Sequence, residues 1–264
     1  MSYLAESYES YMVPTLFSPW ATYLVQAANP QPGERVLDVA CGTGIVARHV
    51  APRVGSNGMV IALDFNPNML TVARAAAKQR GLGIEWREGR AEKLPFPDSS
   101  FDLVLCPFGL MLFADRPAAL TEMHRVLKGG GRAVLSVWQG LDRHPFYQTL
   151  HDVSQRRLGR SSVQHVFSLG DSNERRGLLI NAGFQHVEIQ PVSITVRFPN
   201  PEEFLAWEIG VDPAAIPSMQ HLDAQAQQAI IEAIHEDMQT PLHKIMQDEH
   251  VVLPFHANIA RARR

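Results

Sequence analysis

Short apolar runs alternate with longer amphipathic segments over the first half of the chain. Four runs are almost wholly apolar, as is typical of strands buried on both faces of a parallel sheet; they lie at 36–39, 59–63, 101–106 and 133–138. A shorter strand is expected at 84–87. Amphipathic spacing predicts helices at 45–54, 67–80 and 115–127, the last two with a proline in the first turn. Strands that alternate with helices in this way predict an α/β fold.

The second half is less regular. Residues 139–170 are polar, and 171–181 is predicted to be a helix. Strand-like residues at 186–189 and 192–198 are separated by Pro191, which indicates an edge strand or a bulge. Residues 199–246 are expected to be mostly helical with breaks at prolines. The weak alternation at 251–262 predicts a last strand.

The N-terminal 30 residues are expected to form one or two amphipathic helices, and they are the most aromatic part of the chain. Their rings are Tyr3, Tyr8, Tyr11, Phe17, Trp20 and Tyr23. The rings either pack this segment onto the sheet or form a lid over a binding site. We therefore expect four parts: a lid at 1–30, a core at 31–198 with an insert at 139–170, a helical cap at 199–250, and the final core strand at 251–264.

Composition narrows the class of protein. The chain has 264 residues, of which 45% are hydrophobic, and a net charge of -3. This is ample for a globular core, but there is no basic excess for binding nucleic acid. Cys41 and Cys106 lie in or after apolar runs and form no C-x-x-C pair, so buried free thiols and a cytoplasmic location are expected. No apolar run reaches the roughly 18 residues of a membrane span.

The turn after the first strand carries the candidate chemistry. Its sequence is Asp38-Val39-Ala40-Cys41-Gly42-Thr43-Gly44, followed at once by a helix. The glycines let backbone N–H groups approach a ligand closely, and the helix start adds free donors and a positive dipole end. Asp38 places a carboxylate at the carboxyl end of a strand, where open α/β sheets bind ligands.

This stretch resembles the first motif of class I S-adenosylmethionine (AdoMet)-dependent methyltransferases, acidic-x-small-x-Gly-x-Gly, at Asp38, Ala40, Gly42 and Gly44. The resemblance is to the small-molecule, quinone-methyltransferase-like branch. It implies a Rossmann-like, doubly wound sheet of seven strands with an antiparallel last strand. It also implies S-adenosyl-L-methionine as cofactor, a helical lid and a helical cap.

The same turn also fits a dinucleotide fingerprint, Gly42-x-Gly44-x-x-Ala47, with Asp64 twenty residues after Gly44. Asp38 favours AdoMet, because a carboxylate here would repel a pyrophosphate but attract an ammonium and a sulfonium. A nicotinamide-dependent dehydrogenase therefore stays as the less favoured alternative.

Two later segments extend the resemblance. Asp64 ends the second strand, where its carboxylate can accept both hydroxyls of a ribose; Phe65 can cover an adenine, and Met69 matches the family's second motif. The stretch from Arg90 through Ala91 and Glu92 resembles the family's adenine-binding segment, in which an acid usually stands at position 90. Arg90 cannot accept a hydrogen bond from the adenine amino group. It either stacks on the purine or is a solvated arginine paired with Glu88 or Glu92.

The part of the site where the methyl group would be transferred is less well defined by the sequence. The fourth strand ends at Cys106-Pro107-Phe108, so Pro107 and Phe108 are candidates to line the cofactor pocket. The order of residues here fits neither amino-methylating nor cytosine C5 enzymes of DNA, which again disfavours nucleic acid. Candidate acceptor contacts are Tyr11, Trp20, Phe113, His144 and Tyr147.

The resemblance covers roughly residues 33–138 and implies methyl transfer to an O, N or C atom of a small, partly apolar molecule. No catalytic residue stands out and no metal is expected, because an activated sulfonium mainly requires alignment of the acceptor. An AdoMet binder without methyl transfer, either cyclase-like or regulatory, remains an alternative. The monomer and the homodimer both stay open.

Overall fold

The structure is a computed structural model that describes residues 2–159, 161, 163–209 and 223–264. The chain divides into two compact units. The first comprises Met1–Trp138, Asp171–Val192 and Ala257–Arg264, and the second comprises Gln139–Gly170 and Ser193–His256.

The strands form one sheet in the order β3-β2-β1-β4-β5-β8-β6, with β7 paired to β8. They are β1 (Arg35–Val39), β2 (Met59–Asp64), β3 (Glu85–Glu88), β4 (Phe101–Pro107), β5 (Leu127–Trp138), β6 (Gln185–Phe198), β7 (Met246–Gln247) and β8 (His250–Arg263). The first five are parallel to one another, and β8 runs antiparallel to β5. The predicted seven-stranded, doubly wound sheet is confirmed, with β7 as a short addition.

The helices of the described part lie mostly between strands. They are α1 (Ser2–Ser7), α2 (Ser18–Ala28), α3 (Ile45–Val54), α4 (Pro67–Gln79), α5 (Arg116–Val126), α6 (Pro145–Leu158), α7 (Ser172–Asn181), α8 (Pro201–Ile209) and α9 (Ala224–His243). Side-chain caps define several of their starts. Asn66 accepts a hydrogen bond from the N–H of Asn68 at α4, and Asp115 accepts from Ala118 at α5.

Register places the ends of the parallel strands together. Asp38 on β1 lies beside Ala62 of β2 and Leu105 of β4. The central strands are buried along almost their whole length, because α-helices cover both faces of such a sheet. The carboxyl ends of β1, β2 and β4 therefore form one edge in the first unit.

The second unit has an aromatic core. Phe198 and Phe204 have ring centroids 4.7 Å apart, Phe146 lies 5.4 Å from Phe204, and Tyr147 lies 5.6 Å from Phe255. Helices α6, α8 and α9 pack together here.

The structure corrects three expectations of secondary structure. β6 runs unbroken through Pro191, because β6 is the last strand in the sheet order and an edge strand can leave one N–H position unpaired. α9 likewise continues through Pro241. The N-terminal segment contains a π-helix, Tyr8–Phe17, between α1 and α2. Part of the predicted cap, residues 210–222, lies outside the described residues.

Candidate active site

The turn between β1 and α3 is folded by three residues with positive φ. They are Ala40 at 55°, Gly42 at 55° and Gly44 at 82°. The N–H of Gly44 donates to the carbonyl of Cys41 across 2.9 Å, and α3 begins at the next residue. Gly44 also has no room for a side chain, because a Cβ there would lie 2.3 Å from the ring of Trp86. The sequence places glycine where both the backbone and the packing require it.

Asp38 lies fully buried at the start of this turn. Its Oδ2 atom accepts a hydrogen bond from the N–H of Ala47 across 3.0 Å, whereas its Oδ1 atom is buried without a partner. Burial raises the pKa of Asp38 to about 8, and the nearby charge of Asp64 acts in the same direction, while the hydrogen bond from Ala47 lowers it. An orphaned carboxylate oxygen in such a place fits a cationic ligand group.

Asp64, at the end of β2, is also buried. Its Oδ1 accepts from the N–H of Asn66 across 2.9 Å, and its Oδ2 accepts from the N–H of Gly42 across 2.8 Å. Burial raises the pKa of Asp64, and the backbone hydrogen bonds oppose that rise. The carboxylate therefore joins the ends of β1 and β2.

The residues after Asp64 present an apolar surface. Phe65 is 65% exposed, which is unusual for a large aromatic side chain, and Met69 lies half-buried in the first turn of α4. Exposure of this ring beside a buried carboxylate fits a planar ligand group stacked on it.

The adenine-binding segment of the prediction has mixed character. Ala91 is buried, Glu92 is half-buried, and Arg90 is exposed. The Nε atom of Arg90 lies 3.5 Å from Oε2 of Glu92. Of the two alternatives for Arg90, the solvated arginine paired with Glu92 matches this arrangement.

Aromatic rings cluster at the carboxyl end of β4. Phe108 has a φ of 53° and stacks on Trp138, with ring centroids 3.9 Å apart. Trp20 meets both rings edge-on, 5.7 Å from Phe108 and 5.5 Å from Trp138, and Phe17 lies 6.0 Å from Phe108. The N-terminal segment thus reaches the same edge of the sheet as Pro107, which is half-buried.

Three of the five candidate acceptor contacts lie in the first unit: Trp20, which belongs to the ring cluster, Phe113 and Tyr11. A Cβ on Gly109 would lie 2.8 Å from Cβ of Ala40 and 3.2 Å from the ring of Phe113, so Phe113 lies close to the glycine turn. Tyr11 is buried in the π-helix.

The other two candidates, His144 and Tyr147, lie in the second unit. His144 has both ring nitrogens in backbone hydrogen bonds, since Nδ1 lies 3.0 Å from the carbonyl of Gly140 and Nε2 accepts from the N–H of His256. Burial lowers the pKa of His144 to about 4, so this ring is neutral near pH 7. Tyr147 donates from its hydroxyl to Oε1 of Glu208 across 2.9 Å.

Sequence reasoning missed three residues near the glycine turn. A Cβ on Gly42 would lie 3.9 Å from the ring of Tyr8, and burial raises the pKa of that phenol, with the charges of Asp64 and Glu9 adding to the rise. Glu9 forms an ion pair with Arg48 of α3. Tyr8 carried a signal as one of the N-terminal rings, but Glu9 and Arg48 resemble surface residues of amphipathic helices.

The class I methyltransferase fold is defined by features that are all present here: the sheet order, the antiparallel β8, the glycine turn, and the two buried carboxylates beside it. The sequence profile of the ubiE/COQ5 methyltransferase family matches residues 6–146, more than half of the chain. The chain belongs to the ubiE/COQ5 methyltransferase family. This membership confirms the resemblance seen in the sequence.

Individual relatives point to the same family. The ubiquinone/menaquinone biosynthesis C-methyltransferase UbiE of Xanthomonas oryzae pv. oryzae is 50% identical over 116 residues, which are 43% of this chain and 46% of that protein. The chain thus spans less than half the length of that relative. UbiE of Shewanella oneidensis is 30% identical over 185 residues, 64% of this chain and 73% of that protein.

A putative methyltransferase from Bacillus halodurans, solved by crystallography, shares the fold with a TM-score of 0.60. It is 24% identical and covers 92% of this chain and 97% of its own. Within the described residues, no helix is long and apolar enough to cross a membrane.

Proposed function

We propose that this chain transfers a methyl group from AdoMet to a small, partly apolar acceptor. The observation that carries the proposal is the buried carboxylate of Asp38, whose Oδ1 atom has no partner beside the glycine turn. A pyrophosphate would be repelled there, whereas the ammonium and sulfonium of AdoMet would be attracted.

We assign a role to each of the predicted cofactor residues. Asp38 orients the amino-acid end, and Gly42 and Gly44 admit it. Asp64 accepts hydrogen bonds from the ribose hydroxyls, and Phe65 stacks on the adenine. The remaining residues border the adenine and the sulfur end of the pocket; they are Ala40, Met69, Ala91, Glu92, Pro107 and Phe108, with Arg90 paired to Glu92 at the adenine side.

AdoMet supplies a methyl group on an already activated leaving group. The protein therefore has to hold the acceptor in line with the methyl and exclude water. The cluster of Phe17, Trp20, Phe108 and Trp138 supports this role, because stacked and edge-on rings give a rigid apolar wall. Phe113, which lies close to Gly109, and the buried Tyr11 are further candidates for contact with an apolar acceptor.

The acceptor that the relatives favour is a quinone-type ring methylated on carbon, since the relatives are named as C-methyltransferases of ubiquinone and menaquinone biosynthesis. A cytoplasmic location fits the two free, buried cysteines, Cys41 and Cys106. The net charge of -3 disfavours nucleic acid as acceptor.

The test is release of S-adenosylhomocysteine from AdoMet with a panel of quinols, phenols, amines and carboxylic acids. We expect turnover with at least one ring-bearing quinol or phenol and none without acceptor. AdoMet binding without product release across the panel would instead identify a non-transferring AdoMet binder. The Asp38→Asn variant is the matched control for the role of Asp38: it cannot carry the negative charge but has nearly the same shape, and it should bind AdoMet more weakly.

A further inference from the structure

A half-buried ion pair connects the N-terminal segment to the helix behind the glycine turn. The Nη2 atom of Arg48 lies 2.6 Å from Oε1 of Glu9, and the Arg48 side chain is wholly shielded from solvent. Glu9 belongs to the π-helix and Arg48 to α3. Solvent-exposed pairs contribute little, but this pair resists separation because the wholly buried Arg48 charge would be left without a partner in a poorly polar environment.

Arg48 also holds the glycine turn itself. Its Nη1 atom donates to the backbone carbonyl of Thr43 across 2.5 Å, and Thr43 stands between Gly42 and Gly44. One guanidinium thus binds the N-terminal segment with one branch and the turn with the other. The neighbour of Glu9, Tyr8, lies against Gly42 on the same turn.

We propose that Glu9 and Arg48 are positioning residues that couple the docking of the N-terminal segment to the cofactor-binding conformation of the glycine turn. The inference rests on the proposed role of that turn in binding AdoMet. When the segment is docked, Glu9 fixes the guanidinium, and the guanidinium fixes the Thr43 carbonyl. Coupling of this kind is reciprocal, so bound cofactor also stabilises the docked segment.

Several other polar atoms of these three described residues have no hydrogen-bond partner. Nε of Arg48, Oε2 of Glu9 and Oγ1 of Thr43 are all buried without a hydrogen-bond partner. Burial lowers the pKa of Arg48, and the charge of Glu9 opposes that effect. Loss of the Glu9 charge would therefore leave a buried guanidinium without its counter-charge, which would weaken its hold on the Thr43 carbonyl.

The experiment is a double-mutant cycle read by calorimetric titration with AdoMet. Glu9→Gln and Arg48→Gln should each raise the Kd by about fivefold or more. The double variant should bind no more weakly than the weaker single variant, because both changes break one unit. Additive losses, or a Kd that stays within about twofold in Glu9→Gln, would overturn the proposal.

A second ion pair in the same unit provides the matched control. Arg132 binds Glu34 with Nη1–Oε1 and Nη2–Oε2 distances of 2.7 and 2.9 Å, and its Nε donates to the carbonyl of Ala28 at the end of α2. Glu34→Gln removes the same kind of charge as Glu9→Gln, away from the turn, and leaves the bond from Arg132 to Ala28 in place. This variant should lose thermal stability and keep the wild-type Kd for AdoMet.

Amide hydrogen exchange separates coupling from a merely structural role. In the wild-type chain, AdoMet should slow hydrogen exchange at the amides of residues 8–17. In Glu9→Gln that protection should be largely lost. This variant keeps nearly the same side-chain shape and is therefore the one most suited to fold normally. Equal protection in both would overturn the proposal. Neither the titration nor the exchange experiment requires an acceptor. The coupling can therefore hold even if the proposed methyl transfer fails, and methyl transfer can occur even if the coupling is absent.

Discussion

The carboxylate of Asp64 accepts a hydrogen bond from the backbone N–H of Gly42 across 2.8 Å. The other carboxylate oxygen accepts from Asn66 at the start of α4. The residue proposed to hold the ribose therefore also ties the end of β2 to the turn after β1. A substitution at position 64 acts on the shape of the turn as well as on direct contact with the cofactor.

Removal of the Asp64 carboxylate should weaken AdoMet binding by more than about tenfold, because charged hydrogen bonds to the ribose and the support of the turn are lost together. Asp64→Ala tests this by calorimetric titration. Asp64→Asn keeps one acceptor oxygen and should lose less affinity. Unchanged affinity in Asp64→Ala would show that the ribose assignment is wrong.

The raised pKa of Asp38 should make cofactor binding release protons. Burial holds the pKa of this carboxyl at about 8 in the free chain, and a cationic group placed beside it favours the ionised form. AdoMet affinity should therefore rise with pH up to about 8. Calorimetry at pH 7 in two buffers of different ionisation enthalpy measures the released protons; heats that do not depend on the buffer would contradict the assignment.

The same carboxyl should lower the stability of the free chain at neutral pH. The pKa of Asp38 rises from 3.8 in the unfolded chain to about 8 in the folded chain. The contribution of this carboxyl to the free energy of unfolding is therefore complete below pH 3.8 and is lost as pH rises through 8. Asp38→Asn cannot ionise. Its melting temperature should therefore fall less than that of the wild type between pH 5 and 8, although it binds AdoMet more weakly. Parallel pH profiles would contradict this.

Gly44 should tolerate no side chain. A Cβ there would lie 2.3 Å from the Trp86 ring, and its φ of 82° disfavours other residues. Gly44→Ala should lower stability by more than about 2 kcal/mol, since overpacking adds to backbone strain. Gly81 has a φ of 64° but open space around it, so Gly81→Ala should cost about 1 kcal/mol. Urea unfolding compares the two variants, and equal costs would contradict the packing argument.

The sequence predicted most of the parallel half of the fold because buried parallel strands need continuous apolar runs, as in Val60 to Leu63. At Pro191 the predicted edge position is confirmed, but the predicted interruption of the strand is wrong, since an edge strand tolerates a missing N–H without breaking. Site residues such as Asp38 and Gly44 were predicted because both their residue type and their place at or after the end of a strand match the motif. The burial of Arg48 was not predictable, because it depends on a partner 39 residues away, Glu9.

Glu208 should make the second unit sensitive to pH. Burial raises its pKa to about 7, and the hydrogen bond from the Tyr147 hydroxyl lowers it. The associated stability is complete below pH 4.5 and is lost as pH rises through 7. Glu208→Gln should flatten the fall in melting temperature between pH 5 and 8. Tyr147→Phe should raise the pKa of Glu208 further and move the loss to higher pH; the same midpoint in both chains would contradict this.

The most direct measurement is a calorimetric titration of the wild-type chain with AdoMet, followed by the same titration with a reduced nicotinamide dinucleotide. Because the buried Asp38 carboxyl beside the glycine turn ionises next to a cation and not next to a phosphate, the account predicts saturable binding of AdoMet at one site and no heat from the dinucleotide. Binding of the dinucleotide without binding of AdoMet would contradict the account.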